Sequence, residues 1–188
     1  MKQNNGRPPI LQFRLSVMEI KPEIWRLARV SSSITLAQLH TILQVLMGWQ
    51  DHHLYAFVID EKRYAPRHED DGDLGKGNVI ETKLSSLFKK TPKVITYEYD
   101  FGDRWEVQIS VESTQDRIEQ NQSAECLEGC RHGPVEDSGG SRGYMEKIKI
   151  FRNPQHKGYQ RIREWIGPSF DPEAFDLVET NELLRKIG

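Results

Sequence analysis

The fold is decided by the stretch Tyr97-Glu98-Tyr99-Asp100-Phe101-Gly102-Asp103-Arg104-Trp105-Glu106. Before it, residues 94–99 are rich in β-branched and aromatic side chains, which favour a strand. After it, apolar residues occupy every second position from 105 to 111, the pattern of a half-buried strand. The turn between the two runs contains Gly102, which adopts a positive φ at little steric cost. The sequence therefore predicts a β-hairpin with an acidic tip.

Three carboxylates gather at this tip, on Asp100, Asp103 and Glu106, beside Trp105. In one interpretation the aspartates hydrogen-bond to the turn backbone and the tryptophan belongs to the core. In the other, the carboxylates hold a divalent metal ion, since hard oxygen ligands suit magnesium or manganese, or they work as an acid/base pair in a pocket that shifts their pKa values. Such an ion would activate water or orient phosphates, with His53 as a further candidate for the same site. The sequence leaves both interpretations open.

The composition indicates one folded domain in the cytoplasm. A chain of 188 residues, 37% of them hydrophobic, is long enough to bury a substantial core. The formal net charge of -2 gives no global indication of nucleic acid or an anionic membrane as partner. No apolar run approaches the roughly 20 residues of a membrane span, and residues 1–9 lack the apolar core of a signal peptide. We therefore expect a flexible tail over residues 1–9, a single domain over residues 10–188 and no membrane partner.

The first fifty residues predict a strand–strand–helix unit. Alternating apolar residues over 11–17 and a second run over 23–30 indicate two antiparallel strands. Thr35 and Gln38 have the spacing of a capping box, and Gly48 is a natural helix stop. The leucines between them recur at helical spacing, so we expect this helix to pack on the sheet.

The rest of the chain predicts further strands and then three helices. An apolar run at 54–59 indicates a buried strand, and residues 67–78 indicate an acidic, glycine-rich surface loop. Helical spacing follows over 143–151, 156–166 and 178–187. Strands followed by helices indicate an α+β domain with a mostly antiparallel sheet, on which the C-terminal helices pack.

A second polar, glycine-rich segment follows the hairpin. Cys126, Cys130 and His132 are the alternative metal ligands, but a closed zinc site needs four ligands and the chain has no second cysteine pair. The fourth ligand would come from Glu136, Asp137 or a distant histidine. The competing interpretation is a tight loop whose acids cap the following helix. We predict that this loop and the hairpin tip lie side by side and together form the working surface.

Several stretches, in this order over roughly residues 10 to 187, resemble the plasmid pRiA4b ORF-3-like family. They are Ile20-Lys21-Pro22-Glu23-Ile24-Trp25-Arg26 with Thr35-Leu36-Ala37-Gln38-Leu39-His40, Met47-Gly48-Trp49-Gln50-Asp51-His52-His53-Leu54, Tyr99-Asp100-Phe101-Gly102-Asp103-Arg104-Trp105-Glu106, Cys126-Leu127-Glu128-Gly129 with Pro134-Val135-Glu136-Asp137-Ser138-Gly139-Gly140 and Tyr144, and Phe170-Asp171-Pro172-Glu173-Ala174-Phe175-Asp176. The resemblance implies an α+β fold whose first unit has β-grasp character. Members of that family occur on plasmids and near insertion elements, which implies a link to mobile elements. The resemblance implies no particular biochemical activity.

This chain departs from the family pattern at three positions. Family members often have histidine where Val107 stands, and cysteine where Gly133 and Ser138 stand. A metal or redox role that depends on those side chains is therefore not carried over to this chain.

Two functions follow as hypotheses. The first is a non-catalytic binding or accessory protein linked to mobile elements, with protein or nucleic acid as its partner. The second is a metal-assisted, hydrolase-like enzyme that uses the carboxylates of residues 100–106. The chain contains no recognised nucleophile–base set, which favours the first hypothesis. Basic residues of the C-terminal helices, Arg152, Lys157, Arg161 and Arg163, would make DNA binding salt-dependent.

Overall fold

The computed structural model describes residues 8–66, 77–88, 94–115 and 124–187. The strands are β1 (Ile10–Val17), β2 (Trp25–Ser31), β3 (Tyr55–Ile59), β4 (Lys62–Ala65), β5 (Gly77–Asn78), β6 (Val94–Tyr99), β7 (Trp105–Gln115) and β8 (Ala124–Cys130). The helices are α1 (Leu36–Met47), α2 (Leu84–Leu87), α3 (Gly140–Phe151), α4 (Tyr159–Ile166) and α5 (Leu177–Ile187). None of these helices is long and apolar enough to cross a membrane.

The eight strands form one sheet in the order β5-β4-β3-β6-β7-β1-β2-β8. Every neighbouring pair is antiparallel except β4 and β5, which run parallel. Alternate side chains of the central strands enter a core that also takes the apolar side of α1. Helix α5 packs on β8 and α1, and α3 packs on α4. The α+β fold with a mostly antiparallel sheet is therefore confirmed.

The strand–strand–helix unit forms as its sequence predicts. Strands β1 and β2 pair from Ile10 opposite Ser31 to Ser16 opposite Trp25. At the start of α1, the Gln38 backbone N–H donates to Thr35 Oγ1 over 3.2 Å, and the Thr35 N–H donates to Gln38 Oε1 over 2.9 Å. Helix α1 ends at Gly48, whose φ of 69° is accessible to glycine at little cost.

The hairpin of β6 and β7 is also confirmed, down to its last pair, Tyr99 opposite Trp105. The turn differs from prediction in its backbone, because positive φ angles occur at Asp100 (55°) and Arg104 (56°) and not at Gly102. Aspartate tolerates the left-handed region better than most residues because its short polar side chain bonds locally.

The segment after the hairpin was predicted as a loop, and that prediction is wrong for its first part. Residues Ala124–Cys130 form the edge strand β8, which pairs with β2. Cysteine, glycine and glutamate give this strand little intrinsic preference, so long-range pairing with β2 determines it. The predicted surface loop at 67–78 and the tail at 1–9 lie largely outside the described residues.

A ring of four hydrogen bonds joins α1, β6 and Asp51, which lies in the segment after α1. His40 Nε2 donates to Asp51 Oδ1 over 2.7 Å, because a carboxylate only accepts. His40 Nδ1 then accepts from Tyr97 Oη over 2.7 Å. Tyr97 Oη accepts from Gln44 Nε2, and Gln44 Oε1 accepts from the Asp51 backbone N–H, each over 2.9 Å. In this assignment of donors and acceptors His40 is neutral, and burial favours that form because it lowers the pKa of His40.

We expect the hydrogen-bond ring to make folding pH-dependent through His40. Burial lowers the pKa of His40 from its usual 6.5, against the opposing effect of Asp51. The hydrogen-bond ring contributes its full stabilisation at pH values above 6.5, the pKa of His40 in the unfolded chain. Below it, the unfolded chain binds the extra proton, so the free energy of unfolding falls by up to about 1.4 kcal/mol per pH unit until the folded pKa is reached. Urea denaturation of the wild type and of His40→Gln at about pH 7.5 and about pH 5 measures this.

The matched control is His52→Gln, which removes an exposed histidine near the same segment. It should keep the pH dependence of the wild type, whereas His40→Gln should flatten it. The same slope in all three proteins would contradict the assignment of this pH dependence to His40.

Candidate functional site

Three segments from distant parts of the sequence meet at one end of the central hairpin. They are residues 49–53 after α1, the hairpin tip at 100–104, and residues 131–139 before α3. The Trp49 ring stacks on the Tyr99 ring at 4.7 Å between centroids, and Trp49 Nε1 donates to the Pro134 carbonyl over 2.8 Å. A buried tryptophan thus joins all three elements, with its indole N–H satisfied.

Glu136 fastens the third segment to the other two. Its Oε1 accepts from Tyr99 Oη over 2.5 Å, and its Oε2 accepts from the Gln50 backbone N–H over 2.9 Å. Tyr99 Oη in turn accepts from the His52 N–H over 3.1 Å. Burial, and then the bond to Glu136, raise the pKa of Tyr99, so the hydroxyl keeps its proton and remains a donor. Both carboxylate oxygens of Glu136 are therefore used in holding the loops together.

Asp103 makes the second connection, at the start of α3. Its Oδ2 accepts from the Gly139 backbone N–H over 2.8 Å, where the helix dipole favours a negative charge. Gly140 has a φ of 68°, and a Cβ there would lie 2.2 Å from the Asp103 carbonyl oxygen. Only glycine allows the hairpin tip to approach so closely. The acidic tip and the second acidic loop therefore lie side by side.

Asp100 has one oxygen for the turn and one for the surface. Its Oδ1 accepts from the backbone N–H groups of Gly102 (3.0 Å) and Asp103 (3.2 Å), as expected for a turn aspartate. Its Oδ2 lies 3.6 Å from His53 Nδ1. The structural and the ligand interpretations of Asp100 are thus compatible, because different oxygens serve them.

His53 lies between two carboxylates. Its Nδ1 faces Asp100, and its Nε2 lies 3.3 Å from Asp137 Oδ1. The side chains of Asp100, His53 and Asp137 are 11%, 26% and 72% exposed, so the group opens to solvent on the Asp137 side. One ligand atom from each of the three lies within 4.8 Å of the others. We call this group the His53 cluster.

The His53 cluster has a ligand set suited to a divalent cation. One imidazole nitrogen and two carboxylate oxygens fit zinc or manganese better than magnesium, which prefers oxygen alone. Three protein ligands leave coordination positions for water or for an oxygen of a bound partner. Asp137, like Asp100, has a positive φ (58°), so both aspartates are held in a conformation that most residues avoid.

The structure does not bring Asp100, Asp103 and Glu106 together as one ligand group. Glu106 is exposed and pairs with Glu98 across the hairpin, while its neighbour Trp105 is fully buried. Successive strand residues point to opposite faces, so Glu106 points away from the buried side chain of Trp105. It lines a groove of about 230 Å³ together with Arg63, Glu98 and the tip residues Asp100, Phe101 and Arg104. Among the described residues, the group that can hold a metal is the His53 cluster.

The alternative ligands Cys126, Cys130 and His132 form no such group either. Cys126 is buried in β8, and burial raises the pKa of its thiol to about 11, which disfavours the thiolate that a metal needs. Cys130 is exposed at the end of the same strand. His132 Nδ1 lies 2.7 Å from the Gly133 carbonyl and donates to it.

The chain matches the model of a known family, and two relatives extend the match. The family is described as plasmid pRiA4b ORF-3-like protein, and its model covers residues 9–179. The chain belongs to the plasmid pRiA4b ORF-3-like family. It is 31% identical to the uncharacterized protein y4hQ of Sinorhizobium fredii (strain NBRC 101917 / NGR234) over 181 residues, 95% of this chain and 92% of that protein.

A crystal structure of another relative has the same fold. It is the protein of unknown function MM3350 from Methanosarcina mazei Go1, with a TM-score of 0.81 and 32% sequence identity. The match covers 91% of this chain and 97% of that one. Family membership thus supports the fold, while these relatives carry no assigned activity.

The positions at which this pRiA4b ORF-3-like protein departs from the resemblance have structural explanations. Val107 is fully buried in the core of β7. A Cβ at Gly133 would lie 1.8 Å from the Met47 carbonyl oxygen, so this backbone leaves no room for a side chain there. Ser138 is enclosed beneath α3, and its hydroxyl has no partner among the described residues.

We expect the His53 cluster to bind about one Mn²⁺ or Zn²⁺ per chain. Asp137→Asn should weaken binding at least about tenfold, because it removes an anionic ligand from an exposed position without unpacking the core. The measurement is isothermal titration calorimetry on protein freed of metal with a chelator. Glu106→Gln, which removes a carboxylate of the same hairpin outside the cluster, should bind like the wild type. A wild type that takes up no ion, or equal losses in both variants, would contradict the assignment.

Proposed function

We propose that this protein is a non-catalytic binding or accessory protein linked to mobile elements, and that nucleic acid is its partner. The observation that carries the proposal is the position of the His53 cluster, beside the start of a basic helix pair. A divalent ion at the cluster would coordinate a phosphate oxygen through its open positions. Basic side chains of the helices would neutralise neighbouring phosphates.

The basic helix pair, defined as α3, α4 and their connection, differs in charge from the whole chain. Residues 140–166 contain seven Lys and Arg but two Asp and Glu, whereas the whole chain has a net charge of -2. Six of these basic side chains are exposed: Arg142, Lys149, Arg152, Lys157, Arg161 and Arg163. A local concentration of positive charge on a slightly acidic protein supports a polyanionic partner.

An aromatic side chain accompanies this charge. Trp165 in α4 is 43% exposed, and Lys147 Nζ lies 5.3 Å from the centre of its ring. Lys147 also donates to the Ser138 carbonyl, so it reaches from the helix pair to the loop that carries Asp137. Exposed aromatic rings among basic residues stack on unpaired bases in proteins that bind single strands.

The link to mobile elements and a cytoplasmic location are parts of the proposal that rest on the sequence. The family description refers to a plasmid reading frame, which supports the first. A DNA or RNA partner is consistent with both the link to mobile elements and the cytoplasmic location.

A metal-assisted, hydrolase-like enzyme is the second candidate. It is favoured by the composition of the His53 cluster, because three protein ligands with open positions are typical of catalytic rather than structural zinc sites. His53 and the two aspartates would hold the ion, which would activate a water for phosphodiester hydrolysis. In that reaction the bond from phosphorus to the water oxygen forms as the bond to the leaving sugar oxygen breaks, and the leaving oxygen takes up a proton. The two candidates predict the same binding but differ in whether the nucleic acid is cleaved.

We expect the protein to bind a fluorescent oligonucleotide, single-stranded or duplex, with an affinity that falls as salt rises. Arg161→Glu should weaken binding at low salt about tenfold and reduce the slope of log K against log salt by about 1, because it removes a phosphate contact and adds repulsion. Arg185→Glu makes the same charge change at the exposed end of α5, outside the basic helix pair, and should have little effect. Fluorescence anisotropy measures the affinities of both variants, once in buffer with Mn²⁺ and once in buffer with a metal chelator.

Two results separate the candidates. Intact oligonucleotide after prolonged incubation with Mn²⁺ supports the binding function, and cleavage that Asp137→Asn abolishes supports the enzyme. The absence of salt-dependent binding to either oligonucleotide, or equal effects of the two arginine variants, would overturn nucleic acid as the partner.

A further inference from the structure

A cavity of about 330 Å³ lies at the C-terminal end of α1. It is open to solvent on one side and is bordered by the end of α1, residues 132–133 and the segment that begins α5. Most of its wall is apolar, with side chains of Val45, Leu46, Met47, Phe175 and Leu183. A volume of this size is within the range of small-molecule sites, which are mostly apolar with few polar groups.

The cavity contains a buried cation, the guanidinium of Arg26, which is 1% exposed. Arg26 Nε donates to the Leu46 carbonyl over 2.9 Å. Its Nη1 donates to the carbonyls of Trp25 (2.7 Å) and Cys130 (2.9 Å). Phe175 covers one face of the guanidinium at 4.0 Å from the ring centre. Three of the five N–H donors are thus used, and the group is held in a fixed orientation.

The second terminal nitrogen, Nη2, has no partner among the described residues. Nη2 keeps only a small accessible area, since Arg26 as a whole is 1% exposed, and Arg26 lines the cavity. No carboxylate of the described residues lies within ion-pair distance of the guanidinium. Burial lowers the pKa of Arg26 to about 10, and nearby thiols oppose this only in part. A buried charge without a counter-ion costs free energy that an anionic ligand would recover.

We propose that this cavity binds a small carboxylate with an apolar tail. The carboxylate accepts from Arg26 Nη2, and the tail packs against the walls formed by α1, Phe175 and Leu183. Nη2 is left to donate to one carboxylate oxygen in a charge-assisted hydrogen bond, which is stronger than a bond to a neutral acceptor. This binding site is independent of the function proposed for the His53 cluster.

Two carboxylates at the mouth refine the ligand class. Asp176 and Glu179 line the cavity, and Asp176 Oδ1 accepts from the Glu179 backbone N–H at the start of α5. These groups repel anions, including the ligand's own carboxylate, and attract an ammonium group, so they favour a ligand that carries a positive charge as well. The shared chemistry is therefore a carboxylate on an apolar chain, and the ligand is either a simple carboxylic acid or the zwitterion of an apolar amino acid.

Isothermal titration calorimetry with hexanoate, leucine and hexylamine tests the proposal. We expect hexanoate or leucine to bind and hexylamine not to bind. Leu183→Glu places a negative charge on the cavity wall and should weaken binding at least about tenfold. Val178→Glu is the matched control, because Val178 is 69% exposed on the same helix and lies outside the cavity. Its affinity should stay within about twofold of the wild type.

Arg26→Lys provides a second readout, because it keeps the charge but loses the planar fork of donors. If circular dichroism shows that it folds, its affinity should fall at least about tenfold. If Arg26→Lys does not fold, the comparison of Leu183→Glu with Val178→Glu tests carboxylate binding in the cavity instead. Leucine binding without hexanoate binding identifies the zwitterion. No heat with hexanoate or leucine at about 10 mM, equal binding of hexylamine, or full affinity in Leu183→Glu would overturn the proposal.

Discussion

The arrangement of this protein depends on a closed ring of hydrogen bonds among Gln44, Tyr97, His40 and Asp51. The buried polar atoms of the ring, on His40, Gln44 and Tyr97, each have a partner, so their burial avoids the cost of an unpaired group. Helix α1 therefore cannot slide along β6 without leaving several buried donors and acceptors unsatisfied. Tyr55 stacks on His40 at 3.5 Å and closes the remaining side. Because Asp51 lies two residues before His53, the same ring fixes the segment that carries the cluster histidine.

The loop that carries Asp137 is positioned differently, because it belongs to no strand or helix. It is held through Trp49, Tyr99 and Asp103, and Glu136 accepts two of the four hydrogen bonds involved. Loops that are fixed at several points on a rigid scaffold are where proteins usually place ligand groups. The two neighbouring acids therefore have different roles: Glu136 holds the loops together, and Asp137 remains exposed for a ligand.

Local patterns allowed much of the fold to be predicted, and the reasons for the failures are physical. The capping box of Thr35, the alternation after Trp105 and the helical spacing of the last helices each depend on neighbours in sequence. Strand β8 depends on pairing with β2, about 100 residues away, and its own residues carry no strand signal. At the site, the turn role of Asp100 was visible in sequence, but its approach to His53 is set by the packing of α1. Glu106 was grouped with the tip by proximity in sequence, although strand alternation places it on the other face from Trp105. Arg26 gave no signal, because only the fold shows that its partners are carbonyls.

The His53 cluster and the Arg26 cavity are not mechanically separate, because the same two segments border both. The end of α1 contributes Met47 to the cavity and leads within six residues to His53, while Gly133 at the cavity leads to Asp137. These segments touch through their backbones, since a Cβ at Gly133 would overlap the Met47 carbonyl. A change at Arg26 releases the Leu46 carbonyl and so disturbs the segment that ends at the cluster. Leu183 belongs to neither segment. If Leu183→Glu loses carboxylate binding but binds metal normally, the effect is therefore assigned to the cavity. A change at Arg26 alone cannot distinguish an effect on the cavity from an effect on the cluster.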